Sequence, residues 1–344
     1  MNPPPNRPPL WTYPLWPLGV CFLGAARAKA WWYRRVQSPM DLGLPTVSIG
    51  NLTFGGTGKT PVTIAIARLF LEMGHRPAVL LRGYGRSTRG ARLVEPSGLA
   101  GDAGDEALLL ARSLPGVPVA VGERREEAAE LVRRDSTLFL LDDGFQHLRV
   151  RRDLDLLLVD ATRPGDLRAP PVGRLREGLS AAGRAHAILV TRGSEADLPQ
   201  NLAPFSWGRP LLGVRFLWEP RPFGQEEIAS WDDLKGHTLA CFAGVGHPDA
   251  FFEEALRHGL TLSVRRTFPD HATPDPHRLR MILQDAQSQA ARAVLTTEKD
   301  AVKWAPLWPS DAPPLLFPRL RVELAGDVDG LRALLARACS AGPR

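Results

Sequence analysis

From residue 45 to about residue 191, short apolar runs alternate with longer stretches of mixed polarity. The runs at 47–49, 77–81, 117–121, 137–141, 155–159 and 186–191 predict strands. Most are apolar with little interruption, the pattern of strands buried on both faces. Between them, 60–73 (closed by Gly74), 107–114 (opened by Gly104-Asp105-Glu106) and 123–133 predict helices. Alternation of this kind predicts a doubly wound parallel sheet, an α/β fold.

A polar, proline-containing stretch at 193–210 interrupts the alternation, and a second αβ unit follows. It has strands at 238–243, 261–268 and 293–296, and helices at 248–258 and 274–290. Runs at 212–216 and 320–322 predict strands that carry the chain out to this unit and back. The expected organisation is an N-terminal segment (1–40), a P-loop domain (41–205), a second, smaller α/β domain with its linker strands (206–325) and a C-terminal helix (326–344).

The strand-to-helix turn at Asn51-Leu52-Thr53-Phe54-Gly55-Gly56-Thr57-Gly58-Lys59-Thr60 adds chemistry to this frame. Successive backbone N–H groups from Thr53 to Thr60, backed by a helix N-terminus, form an anion cradle. Lys59 supplies a phosphate-binding cation and Thr60 a hydroxyl for Mg²⁺. The full P-loop pattern has glycine where Thr53 stands, and an ordinary glycine-rich turn is the competing reading. Strand, turn, helix and Gly-Lys-Thr together favour a site for ATP or GTP. Asp142 and Asp143 end an apolar strand, where P-loop proteins place the Mg²⁺ carboxylate. Asp-Asp-Gly also makes a solvated turn. Asp105 at a helix start is equally explained by the helix dipole, and Asp270-His271 by an ordinary surface loop. Arg82, Arg86, Arg176 and Glu177 fall in loops at the carboxyl ends of strands, where α/β proteins bind ligands.

Composition narrows the setting. The 344 residues carry a net charge of +6, and 23% charged with 44% hydrophobic residues excludes wholesale disorder. Cys21, Cys241 and Cys339 lie too far apart for a metal or disulfide framework, which fits a reducing compartment. No nucleic-acid motif accompanies the basic balance, so an anionic membrane or a phosphorylated substrate explains it instead. Residues 1–40 hold Arg7, Arg27, Lys29, Arg34 and Arg35 and no acidic residue. Their uncharged run, 15–26, is too short to span a bilayer. With Trp31, Trp32 and Tyr33 beside the cations, the segment suits a helix lying in the membrane interface. Packing on the protein's own core is the other reading, and a secretory signal would separate the P-loop from cytosolic nucleotide.

Asn51 to Pro61, Arg82-Gly83-Tyr84-Gly85-Arg86, Gly104-Asp105-Glu106, Asp142-Asp143-Gly144-Phe145-Gln146-His147, Asp160-Ala161-Thr162-Arg163, Leu175-Arg176-Glu177, Phe242-Ala243-Gly244 and Thr297-Glu298-Lys299-Asp300-Ala301-Val302-Lys303 occur in this order. The set resembles the tetraacyldisaccharide 4'-kinases, membrane-associated lipid A kinases of Gram-negative bacteria, from about residue 20 onward. The resemblance implies two α/β domains with a cleft between them. It also implies ATP- and Mg²⁺-dependent phosphorylation of the 4'-hydroxyl of a tetraacyldisaccharide 1-phosphate, at the cytoplasmic face of the inner membrane. It makes Asp105 and His271 the base pair and Asp142 or Asp143 the metal ligand. Arg82, Glu106, Gln146, His147, Arg176 and Glu177 would line the substrate or phosphate site. Ala107 stands where the family often has proline, Ala272 where a second histidine is common, and the 164–173 loop is short. The rival function is a membrane-associated P-loop ATPase switch that recruits partners. Such proteins carry lysine immediately before the Gly-Gly of the loop, and here that residue is Phe54.

Overall fold

The computed structural model describes residues 16–224, 228–270 and 272–340. Within them the chain forms two sheets. The larger has nine strands, in the order β13-β8-β7-β6-β1-β5-β2-β4-β3. In chain order these are β1 (Thr46–Asn51), β2 (Pro77–Leu81), β3 (Arg92–Leu93), β4 (Val119–Val121), β5 (Leu138–Asp142), β6 (Leu154–Asp160), β7 (Ala187–Thr191), β8 (Leu211–Trp218) and β13 (Leu320–Gly326). The seven inner strands are parallel, and only the edge strands β3 and β13 run antiparallel to their neighbours. The second sheet is all parallel, in the order β10-β9-β11-β12, with β9 (Thr238–Ala243), β10 (Thr261–Thr267), β11 (Ala293–Leu295) and β12 (Leu315–Leu316). This is the P-loop α/β architecture with a second, smaller α/β unit.

Alternation within each strand explains why both faces of the large sheet are covered. Val47 and Ile49, Val79 and Leu81, and Leu138 and Leu140 face one layer, formed by α2 (Lys59–Glu72), α4 (Asp105–Ser113) and α9 (Val328–Ser340). Ala78 and Leu80, with Phe139 and Leu141, face the other way onto α5 (Arg125–Val132). Leu157 and Ile188 pack beneath Phe145, Ala182 and Leu202. The short helix α3 (Ala100–Ala103) leads into α4. Phe70 of α2 is fully buried, so truncating it to alanine would cost about 3–5 kcal/mol.

The smaller sheet repeats this plan. Leu239, Cys241 and Ala243 face Trp231 and Phe252 of α6 (Pro248–Arg257). Ala240 and Phe242 face Ile282 of α7 (Pro276–Ser288) and Trp304 of α8 (Glu298–Trp304). Strand β8 ends in Trp218, whose ring sits 4.8 Å from Trp231 and stacks on His258 at 4.7 Å. The residue that ends the outgoing strand is therefore part of the second core. Strands β8 and β13 pair along their length, Leu320 with Trp218 through Gly326 with Leu212.

The first helix, α1 (Trp16–Arg35), lies outside these layers. It touches the fold through Gly19, against Ala169 and Pro170, and through Leu23 on the Phe145 cluster. Leu18, Val20, Trp31 and Trp32 are all more than half exposed. No helix among the described residues is long and apolar enough to cross a membrane.

Candidate active site

β1 and β5 lie side by side, Ile49 opposite Asp142, so the glycine-rich turn and the carboxylate pair open at the same end of the sheet. Gly58 caps α2 with φ 83°, and a Cβ there would enter the Phe216 ring. Only glycine fits both demands. Thr57 is buried, and its hydroxyl lacks a hydrogen-bond partner. An orphaned polar atom in such a cradle marks a place for an outside ligand.

Lys59 Nζ stands 3.6 Å from Asp143 Oδ1. Arg176 Nη1 donates to both Asp143 oxygens, at 2.9 and 2.8 Å, and its guanidinium lies 5.2 Å from the centre of the Phe54 ring. Gln146 donates to the Asn51 carbonyl at 2.8 Å and to Glu177 at 2.9 Å, and Glu177 is held in turn by Arg184 at 2.6 Å. The loop after β5 and the Arg176-Glu177 loop are thus tied to the start of the P-loop.

The two aspartates differ. Burial, with Glu106 nearby, raises Asp142 to about 7 against the pull of Lys59, and its Oδ1 accepts the Thr63 hydroxyl at 3.2 Å. Burial also pushes Asp143 upward, but Lys59 and Arg176 outweigh it and hold the carboxyl below its ordinary value. Burial and neighbouring cations, Arg125 first, lower His147 to about 4, so it is neutral near pH 7. Arg82 is exposed at the end of β2.

The second sheet supplies the facing wall. A Cβ on Gly246 would lie 3.4 Å from the Gly56 nitrogen and 3.6 Å from an Asp270 oxygen, so the loop after β9 lies over the P-loop. Asp105 is the first residue of α4 and is buried. Gly104 before it has φ 93°, and a Cβ there would sit 2.8 Å from the Tyr84 carbonyl. Lys299 Nζ lies 3.2 Å from Glu106 Oε1, 3.2 Å from Asp270 Oδ1 and 3.9 Å from Asp105 Oδ2. Lys303 Nζ lies 3.7 Å from Asp105 Oδ2 and 3.1 Å from Asp300, and donates to the Ala272 carbonyl at 3.2 Å. Burial opposes the charge on Lys299, but Glu106, Asp105 and Asp270 raise its pKa. His271 lies outside the described residues; its neighbours Asp270 and Ala272 are both held by lysines of α8.

Local pattern singled out neither lysine, nor Asp270 as more than a loop residue. Their i, i+4 spacing puts Lys299 and Lys303 on one face of α8, which is the legible part of the signal. What they meet there depends on the packing of two distant helices. Arg125, buried at the start of α5, donates to the Gly122 carbonyl at 2.6 Å; burial, aided by Arg82, lowers its pKa to about 10. Nothing in a charged Glu-Arg-Arg-Glu run marks it.

Among the described residues, no group of three or more His, Cys, Asp or Glu side chains could hold a metal ion. Beside the P-loop stand two carboxylates, Asp142 and Asp143. Those hard oxygens suit Mg²⁺, which characteristically takes one or two carboxylates and leaves its other positions to phosphate and water.

The sequence profile of the tetraacyldisaccharide-1-P 4'-kinase family matches residues 11–340. A tetraacyldisaccharide 4'-kinase of Pelobacter propionicus is 39% identical over 335 residues, covering 93% of this chain and 92% of its own. One of Geobacter metallireducens is 38% identical over 302 residues, 84% of this chain and 88% of its own. The crystal structure of LpxK from Aquifex aeolicus in complex with ATP superposes with a TM-score of 0.75 at 27% identity, covering 96% of this chain and 99% of that one.

Proposed function

The chain belongs to the tetraacyldisaccharide 4'-kinase family, and from that premise we propose how its geometry performs the transfer. It is an ATP-dependent kinase of lipid A biosynthesis that phosphorylates the 4'-hydroxyl of a tetraacyldisaccharide 1-phosphate. One observation supports the mechanism: Gly246 of the second unit lies against Gly56 of the P-loop, while Lys299 and Lys303 of α8 reach Glu106 and Asp105 at the start of α4.

Residues 53–60 cradle the ATP phosphates, and Lys59 neutralises charge on their oxygens. Thr60 with Asp142 or Asp143 would hold Mg²⁺, which when bound would offset charge on the phosphates. Asp105 and His271 form the base pair. The histidine takes the sugar hydroxyl's proton while the carboxylate fixes its tautomer. Arg82, Glu106, Gln146, His147, Arg176 and Glu177 line the acceptor and phosphate side. Arg176, whose Nη1 is shared between both Asp143 oxygens, would move between carboxylate and phosphate.

The substrate's acyl chains place the enzyme at a membrane. Exposed Leu18, Val20, Trp31 and Trp32 on α1, with Arg27, Lys29 and Arg35, support a helix resting in an anionic interface rather than crossing it. Because ATP is cytosolic, that surface is the cytoplasmic face of the inner membrane. An assay of phosphate release and transfer from ATP, with and without a lipid A precursor, tests the whole reading. Lipid-dependent transfer to the 4'-position is expected. Hydrolysis that ignores the lipid would make the chain an ATPase switch instead.

A further inference from the structure

Lys303 is an unusual cation, because three groups from different parts of the chain converge on it and solvent barely reaches it. Its side chain is 6% exposed, as is that of Asp105, 3.7 Å away. Asp300, 3.1 Å from it, is itself fixed: its Oδ2 accepts from the Gly244 nitrogen at 2.8 Å and from the Thr297 hydroxyl at 2.8 Å. The third contact is the Ala272 carbonyl at 3.2 Å. Thr297 caps α8 by accepting from the Asp300 nitrogen, so the helix that carries the lysine is locked at its start. Lys303 therefore joins the first residue of α4, which packs on the large sheet, to the loop after β10 of the small one. Lys299, one turn earlier, pairs with Glu106 and Asp270 at 3.2 Å each, stands 3.9 Å from Asp105 and is more open, at 18% exposure.

A buried ammonium with this set of partners does more than fill space. It pairs with the Asp105 carboxylate at 3.7 Å while donating to the Ala272 carbonyl at 3.2 Å, so one ammonium ties both groups together. We propose that Lys303 is a positioning residue for phosphoryl transfer, holding Asp105 of α4 and the backbone at Ala272 in register where the two sheets' units meet. The proposal rests on the reading of Asp105 as half of the base pair. It gives Lys303 no contact with ATP or with the sugar. Loss of the ammonium should therefore slow the chemical step and leave nucleotide binding alone.

The test is a double-mutant cycle on the full chain, assayed with ATP and a lipid A precursor, with melting temperatures measured alongside. Lys303→Met keeps the length of the side chain without its charge, and should lower kcat on the order of 10²-fold while the KM for ATP stays within about twofold. Lys303→Arg should recover at least about tenfold of that loss, because it restores a cation to the same partners. Asp105→Asn combined with Lys303→Met should be no slower than Asp105→Asn alone, as for two residues acting through one group. Should Lys303→Met not fold, Lys303→Gln, whose amide still reaches a carbonyl, takes its place in the cycle. Wild-type kcat in the lysine variant overturns the proposal. So do losses that multiply in the double variant, or a rise in the KM for ATP that matches the fall in kcat. Full activity in Asp105→Asn overturns the base-pair reading and the proposal with it. An inactive Asp105→Asn beside an active Lys303→Met removes the lysine's role alone.

Discussion

Thr63 donates its hydroxyl to Asp142 at 3.2 Å, joining the helix that begins at the phosphate loop to the strand that carries the carboxylate pair. Asp143, one residue on, turns away with φ 55° and is shared by Lys59 and Arg176. Neighbours in sequence thus hold different positions: one buried with its carboxyl raised to about 7, the other paired with two cations.

This difference predicts separable phenotypes. Lys59→Ala should lower transfer by about 10²-fold or more, since the ammonium's charge on the phosphates is lost. Asp142→Ala should raise the Mg²⁺ concentration needed for half-maximal rate. Asp143→Ala should lower kcat mainly by releasing Lys59 and Arg176 from their shared partner. Magnesium titrations of the three variants check this, and near-normal turnover in Lys59→Ala would sink the P-loop assignment.

Gly58 offers a test of the loop's shape rather than its charge. Alanine there meets two obstacles, a left-handed φ of 83° and the Phe216 ring. The backbone cost alone is about 1–2 kcal/mol. Gly58→Ala should therefore weaken ATP binding, as read by calorimetry. Adding Phe216→Ala should recover part of the loss, because it removes the clash and leaves the strained φ. Full recovery would show that the backbone conformation carries no cost.

Glu298, at the start of α8, predicts how stability varies with pH. Burial raises its carboxyl to about 7, against the pull of Arg319 at 3.3 Å. An unfolded glutamate releases its proton near 4.5, so between about 4.5 and 7 the folded state holds a proton that the unfolded state has lost. This contribution is complete below the lower value and disappears as pH rises through the upper one. Glu298→Gln should flatten the fall in melting temperature across that window and raise it at pH 8 relative to wild type. Parallel melting curves for the two proteins from pH 5 to 8 would rule out the raised carboxyl.

Much of this was legible in the sequence, for reasons specific residues show. Strands such as Pro77–Leu81 and Thr238–Ala243 are apolar because both faces are buried, so their pattern gives their boundaries. The turn from Asn51 to Thr60 declares itself because glycine and lysine are required at fixed offsets. The contacts of the α8 lysines, which fall in the Thr297–Lys303 motif, were hidden for the opposite reason. Lys299 and Lys303 look like solvated charge, and only the docking of α8 on α4 brings them to Asp105 and Glu106. The pairing of β8 with β13 joins segments about a hundred residues apart, beyond the reach of any local periodicity.

The N-terminal helix makes a prediction about binding. Each cation near an anionic surface contributes about 1 kcal/mol, so sedimentation with anionic liposomes should weaken as salt rises. Trp31→Ala with Trp32→Ala, or removal of residues 1–35, should shift the protein to the supernatant. Cosedimentation unchanged by either would place the anchor elsewhere on the surface.

The antiparallel return of β13 beside β8 also bears on the order in which the protein can be made. The ribosome releases β1 to β8 first, yet one face of that sheet still lacks Leu331 and Leu335 of α9. Those side chains emerge only after the entire smaller sheet has been synthesised. The nascent kinase unit must therefore wait with an uncovered apolar stripe while the insertion folds, a period when chaperones can reach it. A stop codon after residue 319 would thus cost more than an edge strand. It would leave the first core unsealed, and the truncated chain should aggregate rather than persist as a working half.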